Sequence, residues 1–190
     1  MQGYNAQAVV TTGQIILAAD VTTEANDVRQ LTGMLDQAQA NAEAVPGEEA
    51  VLGAAVADAG YWSEADAGYW SEANAESQTG ECELFIATQK DHKQRAALRE
   101  APSPRGRMPK SMTARERMDR KLRTRRGRGL YRQRGASVEP VFGQMKDRQD
   151  AGRFSMRGLE LCRGEWQLQA AVHNLRKLHR ESVRRTENAG

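Results

Sequence analysis

The chain has 190 residues and a mass of 21.0 kDa, with 39% hydrophobic and 28% charged residues. That length is enough for one domain with a buried core and is short for a multidomain enzyme. No run of 18 apolar residues occurs and Met1-Gln2-Gly3-Tyr4 lacks a basic and then apolar leader, so a soluble, cytoplasmic chain is expected, without a membrane span or export signal.

The net charge of +3 hides a division. Residues 1–88 hold one base, Arg29, and 14 acids, a net of −13; residues 89–190 hold 27 bases and 11 acids, a net of +16. A split of this kind suggests that the second half meets a polyanion, most simply nucleic acid, and excludes a uniformly basic histone-like protein. Cys82 and Cys162 lie 80 residues apart, in no metal-ligand pattern, and are expected as free thiols.

In chain order, Tyr4 to Ala19 reads as a hairpin: Ala6, Ala8 and Val10 alternate with polar neighbours, Thr11-Thr12-Gly13-Gln14 turns the chain, and Ile15 to Ala19 follows as a more buried strand. Val28, Leu31, Met34, Leu35 and Ala38 recur at helical spacing, which predicts a helix from about Asp27 to Ala42. Val51 to Ala57 is an apolar run that fits a buried strand, ending at Asp58. An identical tandem repeat follows, Asp58-Ala59-Gly60-Tyr61-Trp62-Ser63-Glu64-Ala65 and then Asp66 to Ala73. Two copies of eight residues cannot build a solenoid, so one copy is expected in register with the fold and the other as a bulging insert. Leu84 to Thr88 is a further strand.

From Arg105 to Arg134, 13 of 30 residues are Lys or Arg. A loop rich in proline opens this stretch, and an arginine-rich helix is predicted over Met112–Arg126. Val138, Val141, Phe142 and Met145 define one face of a helix over about Val138–Lys146. A last helix covers about Leu159–Arg180, its core stripe read as Leu161, Leu168, Val172, Leu175 and Leu178 with Trp166 beside it. Strands followed by helices predict an α/β or α+β domain.

Two acids stand out. Asp58 ends a predicted strand just before Gly60, where functional groups of open α/β sheets gather; a turn former or helix cap explains it equally well. Glu139 and Lys146 are seven residues apart, on one helix face, and Arg132 joins that face if the helix runs back so far. An exposed carboxylate beside a core stripe explains Glu139 as well. His173 and His179 do not share a face, His92 is isolated, and no Cys or carboxylate completes a metal set with them.

Several segments together resemble the catalytic core of bacterial insertion-sequence DDE transposases: Gln2 to Val10, Ala57 to Glu64, Ala87 to Lys93, Met118 to Thr124, Tyr131-Arg132-Gln133-Arg134 with Val138 to Lys146, and Gly164-Glu165-Trp166 with His173 to Leu178. They occur in order over nearly the whole chain. The resemblance implies a ribonuclease H-like fold, a mixed sheet flanked by helices. It implies two Asp and one Glu holding two divalent metals, Mg²⁺ or Mn²⁺; two such ions about 3.5–4 Å apart stabilise the attacking and leaving oxygens of a phosphodiester. By this resemblance Asp58 is the second acid and Glu139 the third, both catalytic and both metal ligands, with Asp66 of the second repeat copy as the rival of Asp58. Tyr131, Arg134 and Lys146 resemble the companions of the Glu that contact DNA phosphates near the cut. Arg132 is grouped with them, and Arg123, Arg125, Arg126 and Arg128 are expected on DNA phosphates through the basic stretch.

The first Asp of that pattern lies on a strand before the Gly3-Tyr4-Asn5-Ala6-Gln7 segment, so the expectation is a sheet without its first, central strand and a catalytic domain truncated at its N-terminus. The duplication after Asp58 is a second departure. The organisation expected is one domain: residues 1–104 as a partial ribonuclease H-like sheet with the second catalytic Asp, 105–134 as a basic linker or helix, and 135–190 as C-terminal helices carrying the catalytic Glu. The function expected is metal-dependent DNA cleavage and strand transfer in transposition, with this chain inactive alone. The alternatives are a non-catalytic DNA-binding remnant or a pseudogene product. The partners expected are transposon inverted repeats and target DNA, with a second copy or a full-length transposase.

Overall fold

The structure is a computed structural model that describes residues 3–46, 50–62 and 82–189. The fold is mixed α/β. Its elements in order are β1 (Asn5–Val10), β2 (Ile16–Thr22), α1 (Leu31–Glu43), β3 (Ala54–Ala57), a 3₁₀ turn (Ala59–Tyr61), β4 (Glu83–Ile86), α2 (Asp91–Glu100), α3 (Ala114–Leu122), α4 (Arg125–Gln149) and α5 (Leu159–Ala189). The strands form two separate two-stranded sheets, β1–β2 antiparallel and β3–β4 parallel. Packing divides the chain into two units, residues 1–25 with 135–190 and residues 26–134, and the division falls inside α4.

In the first unit the hairpin forms where alternation predicts it. Its turn is held by Gln14 N–H donating to the Thr11 carbonyl (2.9 Å) and Ile15 N–H donating to Thr11 Oγ1 (3.0 Å). Gln14 sits in the left-handed region, φ 63°, a conformation that costs a side-chain-bearing residue about 1 kcal/mol. Several contacts offset that cost. Its amide donates to the Ala136 carbonyl (3.1 Å), its side-chain oxygen accepts from Lys177 Nζ (2.5 Å), and its own carbonyl meets His173 Nε2 (2.9 Å). The Ala136 contact answers a defect in α4. Pro140 has no N–H, so the Ala136 carbonyl lacks its partner one turn on, and Gln14 supplies a donor there. The helix runs from Arg125 through Pro140 to Gln149, starting well before the Val138 expected from the sequence.

The face of α5 differs from the expected one. Leu161, Leu168, Val172, Leu175 and Leu178 are exposed, Leu168 and Leu175 at 65%. The face toward β2 carries Cys162, Trp166, Ala170 and His173 instead. Two polar contacts select it. Asn174 binds both backbone groups of Ile16, accepting from its N–H and donating to its carbonyl, each at 2.8 Å. Trp166 Nε1 donates to the buried Gln7 carbonyl at 2.8 Å. Turning the leucines inward would leave those backbone groups unpaired, at about 1–3 kcal/mol each. Trp166 is thus a core residue, stacked on Phe142 at 5.8 Å, and Val141 and Met145 are buried as their spacing predicts.

The second unit buries Leu31, Leu35, Leu84, Phe85, Ile86, Leu98, Met118, Leu122 and Tyr131. Full burial of a side chain such as Phe85 or Ile86 is worth roughly 1.5–3 kcal/mol. Boundaries shift for identifiable reasons. Residues 27–30 form a turn, Gln30 N–H on the Asp27 carbonyl, so α1 begins at Leu31. The Gln39 side chain takes Leu52 N–H and the Ala50 carbonyl, both at 3.0 Å, so β3 begins only at Ala54. The predicted Met112–Arg126 helix breaks in two. A capping box of Thr113 and Glu116 starts α3. Thr124 Oγ1 then donates to the Lys121 carbonyl (2.7 Å) and accepts from Gly127 N–H (3.0 Å), closing α3 and opening α4. The second repeat copy, Asp66–Ala73 with Trp70, lies outside the described residues.

The α3–α4 junction is tight. A Cβ on Gly127 would stand 2.4 Å from the Lys121 carbonyl oxygen and 2.8 Å from Leu122 Cα, whereas one on Gly129 meets nothing within 4 Å. Gly127→Ala is therefore expected to destabilise the chain by about 1–3 kcal/mol, because backbone must move. Gly129→Ala is expected to stabilise it by about 0.5–1 kcal/mol. Urea midpoints of the two variants test the contrast.

Candidate functional site

Asp58 follows β3 and opens the 3₁₀ turn. Its Oδ1 accepts from Gly60 N–H at 2.9 Å, the cap that the alternative reading of this residue proposes. Its Oδ2 accepts from Arg134 Nη2 at 2.9 Å. The other amine of the same guanidinium, Nη1, donates to Asp91 Oδ1 at 3.3 Å, in the first turn of α2. Tyr131, one turn before Arg134 on α4, donates its hydroxyl to the same Asp91 oxygen at 2.8 Å. Arg95 pairs with the second Asp91 oxygen at 2.7 Å. Segments far apart in sequence thus meet in a charge network: two carboxylates, two guanidiniums and a phenol.

Arg134 is the least exposed charged member, its side chain at 15% against 42% for Asp58 and 39% for Asp91. The cation is held inside and the anions lie at the rim. Burial, the hydrogen bond to Asp91 and the Asp91 charge push the Tyr131 hydroxyl well above the ordinary tyrosine range, with Arg134 and Arg95 opposing. Burial pushes up Tyr61 in the same way, with help from the Asp27 and Asp58 carboxylates and against Arg134. Gly60 admits the crowding: a Cβ there would meet an Asp27 oxygen at 2.7 Å and an Asp58 oxygen at 3.0 Å.

The other expected site residues fall as follows. Arg132 is exposed on α4 within the second unit. Glu139 and Lys146 belong to the first unit, both exposed and seven residues apart on α4. Arg125 is exposed, and Arg126 pairs with Glu83 at 2.9 Å. Arg123 pairs with Asp119 at 2.6 Å. Arg128 donates to the carbonyls of Arg123 and Ala101. Asp66 lies outside the described residues. Sequence reasoning gave no role to Asp91, Asp27 or Tyr61. The only available signal for Asp91 was its place in the Ala87–Lys93 segment.

Residues 105–179 match the family of the transposase DDE domain. The match takes in Tyr131, Arg134, Glu139 and Lys146; Asp58 lies before it. No curated protein and no solved structure matches the chain. A divalent metal is expected of a DDE transposase, and the described residues do not by themselves fit one. Both Asp58 oxygens already accept hydrogen bonds, one from a guanidinium, and among the described residues no group of three or more His, Cys, Asp or Glu stands close enough to hold a metal ion. A hard cation needs several oxygen ligands.

Two outcomes are expected of the network. Arg134→Gln leaves two neighbouring carboxylates without their shared cation and should cost about 1–2 kcal/mol, discounted because both anions are partly exposed. A chemical denaturation midpoint reads this. Tyr131 and Tyr61 have folded-state values above the unfolded value of 10.0, so the stability they contribute is fully present below pH 10 and is lost as pH rises through the folded values. Stability should therefore fall above about pH 10, and the fall should be shallower in Tyr131→Phe, as followed by thermal melting across pH 8–12.

Proposed function

We propose that the chain carries DDE-type transposase chemistry, phosphodiester cleavage of DNA and transfer of the freed end, with Asp58 and Glu139 as two of its acids. The family match over residues 105–179 carries this reading. The Asp58–Arg134 contact supports it: an acid from the end of β3 stands beside a guanidinium from the matched segment. A guanidinium can hold two phosphate oxygens by parallel hydrogen bonds, so Arg134 is suited to a phosphodiester brought up to Asp58. The mixed α/β content supports a ribonuclease H-like arrangement as the underlying fold. The partners in this reading are inverted-repeat and target DNA, with a second copy or a full-length transposase as protein partner.

No catalytic step is assigned to a metal in this chain, because the described acids do not gather into a set of three. The chain alone is expected to bind DNA without cutting it. That outcome also suits a second reading, a non-catalytic DNA-binding protein, which is favoured by both Asp58 oxygens already being engaged.

A nicking assay on inverted-repeat duplex with Mg²⁺ or Mn²⁺ tests both. The expected result is binding by the wild-type chain, Asp58→Asn and Glu139→Gln alike, with no nicking above the level of the variants. Nicking that disappears in Glu139→Gln would overturn the expectation of inactivity and the non-catalytic reading together. Nicking lost in Asp66→Asn but kept in Asp58→Asn would move the second acid to the other repeat copy. Absence of DNA binding would sink both readings.

A further inference from the structure

In the densest run of basic residues many of the cations are already engaged. Between Arg105 and Arg134 most arginines are used to hold the fold. Arg115 donates to the Thr88 carbonyl and Arg120 to the Arg105 and Gly106 carbonyls, while Arg123 and Arg126 pair with Asp119 and Glu83. Arg128 is tied to backbone and Arg134 to two carboxylates.

The first unit shows the opposite. Near the end of α4 and the middle of α5, Arg148, Arg176, Lys177 and Arg180 line an open surface cleft together with Gln144, Gln149 and His173. No carboxylate lines it. None of the four cations takes part in an ion pair among the described residues. Arg148, Arg176 and Arg180 are exposed and Lys177 is half-buried.

The floor of the cleft is fixed. His173 is 3% exposed and its ring meets the Gln14 carbonyl, Lys177 spends one donor on Gln14 Oε1, and one Arg176 amine donates to the Arg148 carbonyl at 3.3 Å. These contacts orient the cationic side chains and leave most of their donors unused. Four like charges converging without an anion repel one another. An arrangement of this kind is stabilised by a ligand carrying several negative charges, and guanidiniums match phosphate oxygens geometrically.

We propose that this cleft seats phosphates of the DNA backbone, without reading base sequence. The choice of DNA as the polyanion rests on the function proposed above. The cleft lies apart in sequence from Tyr131, Arg132 and Arg134, and it assigns backbone contact to α5 as well as α4. Contacts of this kind set register and affinity and carry salt dependence rather than specificity.

The test is fluorescence anisotropy of the full chain on duplexes of two unrelated sequences across a range of salt. Each phosphate contact contributes about −0.9 to the slope of log K against log salt. Replacing Arg148, Arg176 and Arg180 together by Gln should make the slope shallower by about 2–3, equally on both duplexes. The triple replacement by Lys should keep the wild-type slope. An unchanged slope in the Gln variant, with the wild-type chain binding, overturns this proposal and leaves the transposase reading standing. Equal loss in the Gln and Lys variants marks a structural role and also overturns it. A wild-type chain that does not bind either duplex overturns both.

Discussion

One guanidinium organises the second unit. Arg134 binds carboxylates that lie 76 and 43 residues before it in the chain, on the turn after β3 and on the first turn of α2. A planar fork with fixed donor directions can do this where an ammonium would not, because each amine has its own acceptor. Removing the cation would leave Asp58 without its ion pair and Asp91 with Arg95 alone, beside a buried phenol. The position of Asp58 is therefore a consequence of the same contact that makes it interesting: an acid at a strand end is ordinary, and one clamped to an arginine of the matched segment is not. The contact also engages the oxygen that a metal would need.

A second constraint acts in the first unit. Pro140 breaks the hydrogen-bond ladder of α4 at Ala136, and the hairpin turn repairs it through Gln14. The repair requires Gln14 in a left-handed backbone conformation, which its contacts to His173 and Lys177 stabilise. The hairpin, α4 and α5 are thus tied at one residue. The same residue contacts His173 and Lys177, two of the residues that line the basic cleft.

The charge division of the chain takes on a different meaning in three dimensions. Charge density along the sequence says nothing about which cations are already spent. In the second unit Arg115, Arg120 and Arg128 donate to carbonyls, and Arg95, Lys121, Arg123, Arg126 and Arg134 pair with Asp58, Glu83, Asp91 and Asp119, so part of the acidic half and part of the basic half neutralise each other. In the first unit Arg148, Arg176 and Arg180 lack such partners among the described residues. Availability, not density, is what a phosphate responds to.

Much of the fold was legible in the sequence because period and punctuation are local. Alternation at Ala6, Ala8 and Val10 and the Thr11–Gln14 turn placed the hairpin, and the 3.6-residue recurrence of Leu31, Met34, Leu35 and Ala38 placed α1. The segment from Tyr131 to Lys146 was recognisable residue by residue, and the family match covers it. What the sequence could not decide was which partner each side chain would find. Five large apolar residues on α5 suggested a core stripe, yet the helix turns Cys162, Trp166, Ala170 and Asn174 toward the hairpin because Gln7 and Ile16 have backbone groups to satisfy there. Asp58, Asp91, Tyr131 and Arg134 are unremarkable apart and form a network only when β3, α2 and α4 pack. Hydrophobic spacing is a property of one segment, whereas hydrogen-bond satisfaction and charge pairing are properties of two, and only the tertiary structure supplies the second.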